Sequence, residues 1–264
     1  MLIAQITDTH VGGADVAALY RMDTRAALRA AVDQINALPM RPDVCVITGD
    51  LVENGTVDEY RLARSEFARL TMPWFVIPGN HDSREPLREV FSDVQPFETG
   101  DFLHYVVNDL PLRVIALDSL VEGRTHGKLC EDRTAWLRER LRERPTVPTV
   151  LMLHHPPFAT RQPVVDGVCL AHAGDFAALV SEHCQIEAIV SGHVHRAIFS
   201  RVAHASASSC PSTAHQMLLA FRREDPMAFV HEPPGFQLHW WDGPGTWTTH
   251  TVQVGDFAGP FSFH

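Results

Sequence analysis

The chain has 264 residues and 45% of them are hydrophobic, so it can bury one large core, as a single domain or as one domain with a cap. Its formal net charge is -10, which argues against DNA or RNA as a partner, because contacts with many phosphates require clustered Lys and Arg. Composition therefore favours a small ligand over a nucleic-acid polymer.

The five cysteines give no sign of a thiolate metal site or a thioredoxin-like pair, because no Cys-x-x-Cys occurs among them. They are Cys45, Cys130, Cys169, Cys184 and Cys210. Their odd number favours a reducing compartment. Residues 1–7 lack the charged and apolar regions of a signal peptide, and no apolar run is long enough to span a bilayer. We therefore expect a cytoplasmic protein without a membrane segment.

In chain order, short runs rich in β-branched and aliphatic residues predict buried strands at 2–7, 44–48, 74–77, 112–117, 149–153 and 186–190. Helical patterns lie between them at 23–38, 58–70 and 131–144. Thr56 and Glu59 have the spacing of a capping box at the second of these helices. Further strands without intervening helices are predicted at 102–107, 198–203, 237–241 and 246–252.

This alternation predicts a layered α/β architecture with a mixed sheet or a pair of sheets. Residues 203–235 are rich in Ser, Pro and His and have weak periodicity, which predicts a loop-rich cap or interface excursion. No internal repeat or low-complexity linker divides the chain. We therefore expect residues 1–264 to form one domain that contains this excursion.

Residue types that ligate metals follow the predicted strands directly. Asp8 and His10 follow the first strand, Asp50 the second and Asn80 the third, whereas His154 and then His193 and His195 follow two later strands. Loops leaving the carboxyl ends of strands in an α/β sheet converge on one crevice, so residues far apart in sequence can meet there.

The set combines imidazoles, carboxylates and one amide oxygen without a thiolate, which suits Fe, Mn, Zn or Co. Two cations held close together need a bridging anion, and the two carboxylate oxygens of Asp50 can supply it. Gly49, Gly79 and Gly192 each directly precede a ligand and leave room for a sharp turn. The set predicts a site for two divalent metal ions.

Single members of the set have simpler interpretations. Any one of the 16 histidines can be a hydrogen-bonded core or surface residue, and Gly49-Asp50 alone can be a turn after a strand. All the blocks occur in order, however, and each stands at the end of a predicted strand. That joint occurrence favours the metal site.

Five blocks resemble the signature of the calcineurin-like metallophosphoesterases. They are Asp8-Thr9-His10, Gly49-Asp50, Gly79-Asn80-His81-Asp82, His154-His155-Pro156-Pro157 and Gly192-His193-Val194-His195. Within that superfamily the chain is most similar to the class III cyclic nucleotide phosphodiesterases and glycerophosphodiesterases. These share its length, the His-His-Pro-Pro block, Thr213-Ala214-His215-Gln216 and a tail like Phe257-Ala258-Gly259-Pro260-Phe261.

The resemblance implies a four-layer α/β/β/α sandwich and a binuclear metal centre. One metal would be held by Asp8, His10, Asp50 and His195, and the other by Asp50, Asn80, His154 and His193. It also implies a phosphoric diester hydrolase in which a hydroxide carried by the metal pair attacks phosphorus.

His81 is the expected catalytic residue beside the ligands, because its ring can face the same crevice and bind a phosphate oxygen or protonate the leaving alkoxide. Asp82 could orient His81, or it could instead be the N-cap of a helix at 84–90. By resemblance His215 approaches the site from the Ser-rich region, and a surface position is the alternative.

The substrate stays open between two classes. The His-Pro-Pro block and the tail favour small diesters, above all glycerophosphodiesters, over 3',5'-cyclic nucleotides. The glycerophosphodiesterase branch tends to carry Asn-Gly where this chain has Ala171-His172-Ala173-Gly174, so the head group is undecided. The complete ligand set disfavours a non-catalytic scaffold, and the negative net charge disfavours a nuclease.

Members of the class III group are commonly oligomeric, so the resemblance implies a homo-oligomer built through residues 203–235.

Overall fold

Two β-sheets form the centre of the structure, a computed structural model that describes residues 1–263. The strands are β1 (Leu2–Ile6), β2 (Val44–Ile47), β3 (Trp74–Val76), β4 (Tyr105–Val107), β5 (Arg113–Leu117), β6 (Thr149–Leu153), β7 (Ile186–Ser191), β8 (Ile198–Val202), β9 (Ala205–Ser209), β10 (Gln216–Met217), β11 (Phe229–Val230), β12 (Gly235–Trp241) and β13 (Trp247–Gln253). The helices are α1 (Ala14–Tyr20), α2 (Thr24–Asn36), α3 (Val57–Phe67), α4 (Arg84–Phe91), α5 (Glu131–Glu143), α6 (Pro163–Asp166) and α7 (Ala173–Ser181).

Both sheets are mixed. The first has the order β13-β12-β1-β2-β3, in which β1, β2 and β3 are parallel and β12 runs antiparallel to β1. The second has the order β4-β5-β6-β7-β9-β8, in which β5, β6, β7 and β9 are parallel and the edge strands are antiparallel. The carboxyl ends of each parallel set therefore open at one edge of its sheet.

Side chains alternate between the two faces of each strand and so build three apolar layers. In β1, Ile6 packs with residues of α2 and α3, whereas Ile3 packs against the second sheet. In β6, Met152 belongs to the layer between the sheets and Leu153 to the layer under α5 and α7. The predicted four-layer α/β/β/α sandwich is confirmed.

Local signals placed several elements correctly. The Asp23 side chain accepts from Ala26 N at the start of α2, and Thr56 and Glu59 form the predicted capping box of α3. The strand predicted from residue 102 begins three residues later, at Tyr105. Leu103 N donates to the Asp118 carboxylate instead of to a neighbouring strand, which delays the ladder.

The segment 203–235 is more regular at its start than predicted. Residues 205–209 form β9, which pairs with both β7 and β8 and lies in the second sheet. The sequence Ala-Ser-Ala-Ser-Ser lacks the β-branched residues that mark strands, so composition hid it. Farther along, β10 and β11 form a small antiparallel pair whose connecting loop exposes Leu219 and Phe221.

Within residues 1–263, no helix combines the length and apolarity needed to cross a membrane.

Candidate metal centre and substrate cleft

All seven predicted ligands lie in one buried crevice at the carboxyl ends of the parallel strands. Asp8 and His10 follow β1, Asp50 follows β2, Asn80 follows β3, His154 follows β6, and His193 and His195 follow β7. The first three strands belong to one sheet and the last two to the other. The face-to-face packing of the sheets therefore closes the crevice from two sides.

Asp50 lies between two groups of these side chains. Its Oδ2 atom is 3.8 Å from His10 Nε2 and 3.2 Å from His154 Nε2. On one side, His195 Nε2 lies 3.2 Å from Asp8 Oδ1 and 3.2 Å from His10 Nε2. A single carboxylate thus reaches both groups, as a bridging ligand must.

The second group contains the amide and the two remaining imidazoles. Asn80 Oδ1 is 3.2 Å from His154 Nε2, and the rings of His154 and His193 have centroids 5.1 Å apart. The buried His193 Nε2 atom has no hydrogen-bond partner among the described residues. An unsatisfied buried ring nitrogen at this position fits a ligand to a cation.

Hydrogen bonds behind the rings fix which nitrogen faces the crevice. A carbonyl oxygen can only accept a hydrogen bond, so the ring nitrogen that faces the carbonyl carries the proton. The Nδ1–H of His154 donates to Thr48 O (2.7 Å). The Nδ1–H of His195 donates to His215 O (2.9 Å). A neutral ring held in this way presents a bare Nε2 to the crevice.

The crevice therefore brings potential metal ligands together. The Nε2 atoms of the neutral rings, an amide oxygen that can accept and carboxylate oxygens converge, with close pairs 3.2 Å apart. Three-residue groups of potential ligand atoms within 4.8 Å include Asp8, His10 and Asp50. Such a set repels itself unless positive charge lies among its members, so it fits divalent metals.

Electrostatics lead to the same conclusion. Burial raises the pKa of Asp8, but His195 and His154 together lower it to about 2. Burial lowers the pKa of His154, but Asp50 and Asp8, together with the hydrogen bonds of the ring, raise it to about 9. The surroundings thus favour charged carboxylates with positive charge beside them, which bound cations would supply.

The backbone is strained at the same residues. Among residues 1–263, nine non-glycine residues have positive φ, and five of them are predicted ligands. These five are Asp8, His10, Asp50, His193 and His195, with φ between 43° and 69°. Strain of this kind is uncommon and concentrates at functional sites.

Backbone amides hold the carboxylates in place. His193 N donates to both oxygens of Asp8 (3.1 and 2.9 Å), and His81 N donates to Asp50 Oδ1 (2.8 Å). Gly79 packs directly against Asp50, and a Cβ there would overlap the carboxylate. A glycine is therefore required at residue 79, because the backbone there approaches the Asp50 carboxylate too closely for a side chain.

His81 lies at the mouth of the crevice with a partly exposed side chain. Its ring packs edge-on against His10 with a centroid distance of 4.8 Å. Its Nδ1–H donates to Glu53 O (3.1 Å) and is 3.5 Å from Glu53 Oε1. Burial lowers the pKa of His81, but Asp50 and Glu53 together raise it above its usual value.

Asp82 makes contacts that fit neither of the roles predicted for it, the orientation of His81 and the N-cap of a helix. The helix N-cap interpretation is wrong, because Ser83 is the N-cap residue of α4 and the buried Asp82 carboxylate instead accepts from Leu51 N, Gly79 N and Tyr60 Oη. These bonds tie the loops after β2 and β3 together, and no hydrogen bond joins Asp82 to His81 within the described chain. Burial and Asp50 raise the pKa of Asp82 to about 7.

His215 is buried, so the surface alternative is wrong. Its ring stacks on Tyr20 at a centroid distance of 3.9 Å and lies 4.7 Å from the ring of His195. Burial and the nearby His195 lower the pKa of His215 to about 2, so the ring stays neutral. His215 thus forms part of the wall beside the crevice.

The crevice opens into a cleft of about 290 Å³ with a mixed lining. Predicted ligands and His81 form one part of the lining. Apolar side chains form another part, among them Val168, Met217, Met227 and Phe229. His172, considered with the substrate-binding region in the sequence, lines a separate groove between α5 and α7.

Sequence reasoning missed two contributors to this site. Glu53 accepts a hydrogen bond from His10, and Tyr20 lines the cleft and donates to Glu53. Tyr20 ends a helix that was not predicted, and Glu53 follows Asp50 without a recognisable motif. Its spacing three residues after a predicted ligand was the one available signal.

The four-layer sandwich and the acceptor-lined crevice together define the metallophosphoesterase class. The chain belongs to the calcineurin-like phosphoesterase family, whose model matches residues 1–197.

Relatives and solved structures extend the match over the whole chain. A "Probable glycerophosphodiester phosphodiesterase GpdQ" of Arcobacter nitrofigilis is 36% identical over 100% of this chain and 97% of its own length. A 3',5'-cyclic-nucleotide phosphodiesterase of Nostoc sp. is 27% identical over 96% of this chain and 92% of its own. The structure of a dimetal phosphatase from Danio rerio has a TM-score of 0.64 at 14% identity, covering 97% and 99% of the two chains, and it shares the fold.

Proposed function

We propose that this protein hydrolyses small phosphodiesters, most readily glycerophosphodiesters, at a centre of two divalent cations. The observation that carries the proposal is the position of Asp50 between two groups of acceptors. The name of the Arcobacter nitrofigilis relative supports a glycerophosphodiester as substrate.

The proposed ligand sets follow the two groups. One cation would be held by Asp8, His10, Asp50 and His195, and the other by Asp50, Asn80, His154 and His193. Imidazole and oxygen donors suit Fe, Mn, Zn or Co. When bound, such a pair lowers the pKa of water and neutralises charge on phosphorus oxygens.

His81 is proposed as the residue that handles the leaving group. Asp50 and Glu53 raise its pKa, and its Nδ1–H is already committed to Glu53 O. When the ring is protonated, its Nε2–H can donate to a phosphate oxygen or to the departing alkoxide. Its place in the lining of the same cleft as the proposed ligands supports this role.

The cleft supports a small diester over a polymer. The apolar side chains of the lining can cover one substituent of the phosphate while the proposed ligands and His81 hold the phosphate itself. A 3',5'-cyclic nucleotide is the second candidate, because Tyr20 and Phe229 line the cleft and aromatic rings can stack on a base. The complete ligand set weighs against a non-catalytic scaffold.

The proposal is tested by side-by-side turnover of glycerophosphocholine, glycerophosphoethanolamine, cyclic AMP and a phosphomonoester, each with defined Mn, Fe, Co and Zn. We expect the glycerophosphodiesters to give the highest kcat/KM. Faster turnover of cyclic AMP would instead support the second candidate. Equal rates for monoester and diester would contradict the diesterase assignment.

We also infer one domain over residues 1–264, a cytoplasmic location and a homo-oligomer. The five cysteines are all free, which supports a reducing compartment. In the segment after β10, the exposed Leu219, Phe221 and Met227 provide apolar surface for contact with a second copy. Sedimentation of the metal-loaded protein tests the oligomer, and a monomer at all concentrations would contradict it.

A further inference from the structure

Glu53 lies where three side chains of the cleft meet. Its Oε2 atom accepts from His10 Nδ1–H (2.7 Å) and from the Tyr20 hydroxyl (2.9 Å), and its Oε1 atom is 3.5 Å from His81 Nδ1. The Glu53 side chain is 10% exposed. We propose that Glu53 is a positioning residue whose carboxylate sets the ring orientation of His10. This inference rests on the proposed function.

The effect on His10 follows from the chemistry of a carboxylate. An ionised carboxylate can only accept, so the Nδ1 of His10 carries the proton and its Nε2 is bare. That Nε2 is directed to the crevice, 3.8 Å from Asp50 Oδ2 and 3.2 Å from His195 Nε2. A carboxylate behind a ligating imidazole also makes the ring a stronger donor to a metal.

Comparison with the other rings shows why Glu53 is distinctive. The Nδ1–H groups of His154 and His195 donate to backbone carbonyls, those of Thr48 and His215. Backbone carbonyls survive any side-chain substitution. The His10 ring is held by a side chain, so its orientation depends on the identity of residue 53.

The carboxylate is carried on a fixed loop. Val11 and Val52 form a parallel β-bridge, and Glu53 N donates to Val11 O (3.2 Å). The loop after β2 is therefore joined to the loop after β1, which carries His10. A short, doubly anchored loop leaves the Glu53 carboxylate little freedom, so the orientation that it imposes on the His10 ring is well defined.

The Glu53 carboxylate also contacts a residue that lines the substrate cleft. Tyr20 donates to it and stacks on His215, and the His81 ring packs against His10. Loss of the Glu53 carboxylate would remove a hydrogen bond from His10 and from Tyr20, whereas His81 would keep its bond to the Glu53 backbone oxygen. The proposed metal ligand, the proposed proton donor and the wall of the cleft are thus coupled through one residue.

The test compares Glu53→Ala and Glu53→Gln with a matched control, Glu59→Gln. Glu59 is similarly buried and also hydrogen-bonds in this loop, but its partners are Asn54 and Thr56 at the cap of α3. Chelator-stripped proteins are titrated with Mn²⁺ or Zn²⁺ by calorimetry, with Tm measured alongside. We expect Glu53→Ala to weaken metal affinity about 10- to 100-fold.

The Gln variant separates hydrogen bonding from charge. Its amide oxygen can still accept from His10, so we expect a smaller loss of metal affinity than in the Ala variant, and it is the variant to interpret if Ala fails to fold. The control is expected to lower Tm while leaving metal affinity unchanged. Wild-type affinity in both folded Glu53 variants, or an equal loss in Glu59→Gln, would overturn the proposal.

This outcome is distinguishable from a failure of the proposed function. The metal titration needs no substrate, so weaker metal binding in the Glu53 variants would stand even if the wild type hydrolysed no phosphodiester. Conversely, diester hydrolysis by the wild type with unaltered metal binding in both Glu53 variants would retain the function and remove Glu53 from its positioning role.

Discussion

Two buried histidines, one in the crevice and one inside the first sheet, differ in the balance of donors and acceptors around them. In β12, His239 Nε2–H donates to Gln5 Oε1 (2.9 Å), and the Thr249 hydroxyl donates to its Nδ1 (2.9 Å), so both nitrogens are satisfied. In the crevice, His154 Nε2 faces the oxygens of Asp50 and Asn80. The two histidines are equally buried. The surplus of acceptors around His154 is what distinguishes the proposed ligand from the structural histidine.

The pKa values separate the two regions in the same way. Burial lowers the pKa of His239 to about 3, with no charged neighbour to oppose it. At His154 burial acts in the same direction, but Asp50 and Asp8, together with the hydrogen bonds of the ring, raise the pKa to about 9. A neutral structural imidazole and an imidazole among anions are thus distinguishable by their surroundings.

The largest expected effect comes from removing the acceptor shared by both groups. Asp50→Ala and Asn80→Ala should each lose metal and activity together. For Asp50→Ala we expect kcat to fall about a thousandfold or more, which is the order of loss found when one fixed electrostatic group is removed. Metal analysis of dialysed protein and turnover of a bis-aryl phosphate measure both. His239→Gln, which changes a buried histidine outside the crevice, is the control and should keep its metal.

The ligand assignment fails if the Asn80 variant retains full activity with one metal or none. It also fails if His239→Gln loses as much metal as the crevice variants, because the two regions would then not differ in the way that their hydrogen bonds indicate.

The next effect concerns a residue beside the acceptors. His81→Ala should lower kcat about 10²- to 10⁴-fold, as expected for loss of a general acid, while the metal content stays near that of the wild type. Its side chain lies at the cleft mouth and none of the close acceptor contacts depends on its ring. Metal analysis and steady-state kinetics on the same protein samples measure the metal content and the loss of kcat separately. A metal loss equal to that of Asn80→Ala would place His81 among the ligands.

The crevice could be predicted because its residues carry local signals. Asp8, Asp50 and His154 each stand at the end of a short apolar run, and parallel strands bring such ends together without further information. The four layers were implied by family resemblance and follow physically from strands that are apolar on both faces.

The remainder depends on contacts between distant segments. Asp82 precedes a helix and so resembles an N-cap, but Tyr60 and two loop amides reach its carboxylate in the folded chain. Glu53 and Tyr20 meet only because α1 packs beside the loop after β2. The partners of His239 come from β1 and β13, and nothing local in β12 identifies them.

The smallest effect tests the structural histidine through pH. The unfolded chain binds a proton at His239 below pH 6.5, whereas the folded chain does so only below about pH 3. Between these values the unfolded state holds more protons, so the contribution of His239 to stability is complete above pH 6.5 and is lost as pH falls, at up to about 1.4 kcal/mol per pH unit.

In His239→Gln the amide can make both hydrogen bonds without titrating. Urea unfolding at pH 7, 6 and 5 in excess chelator is therefore expected to show that the wild type loses more stability on acidification than the variant. Chelator leaves the crevice in the same state in both proteins, so its titrations cancel in the difference. Parallel curves for the two proteins would mean that His239 is not held neutral, and the contrast with His154 would lose its electrostatic basis.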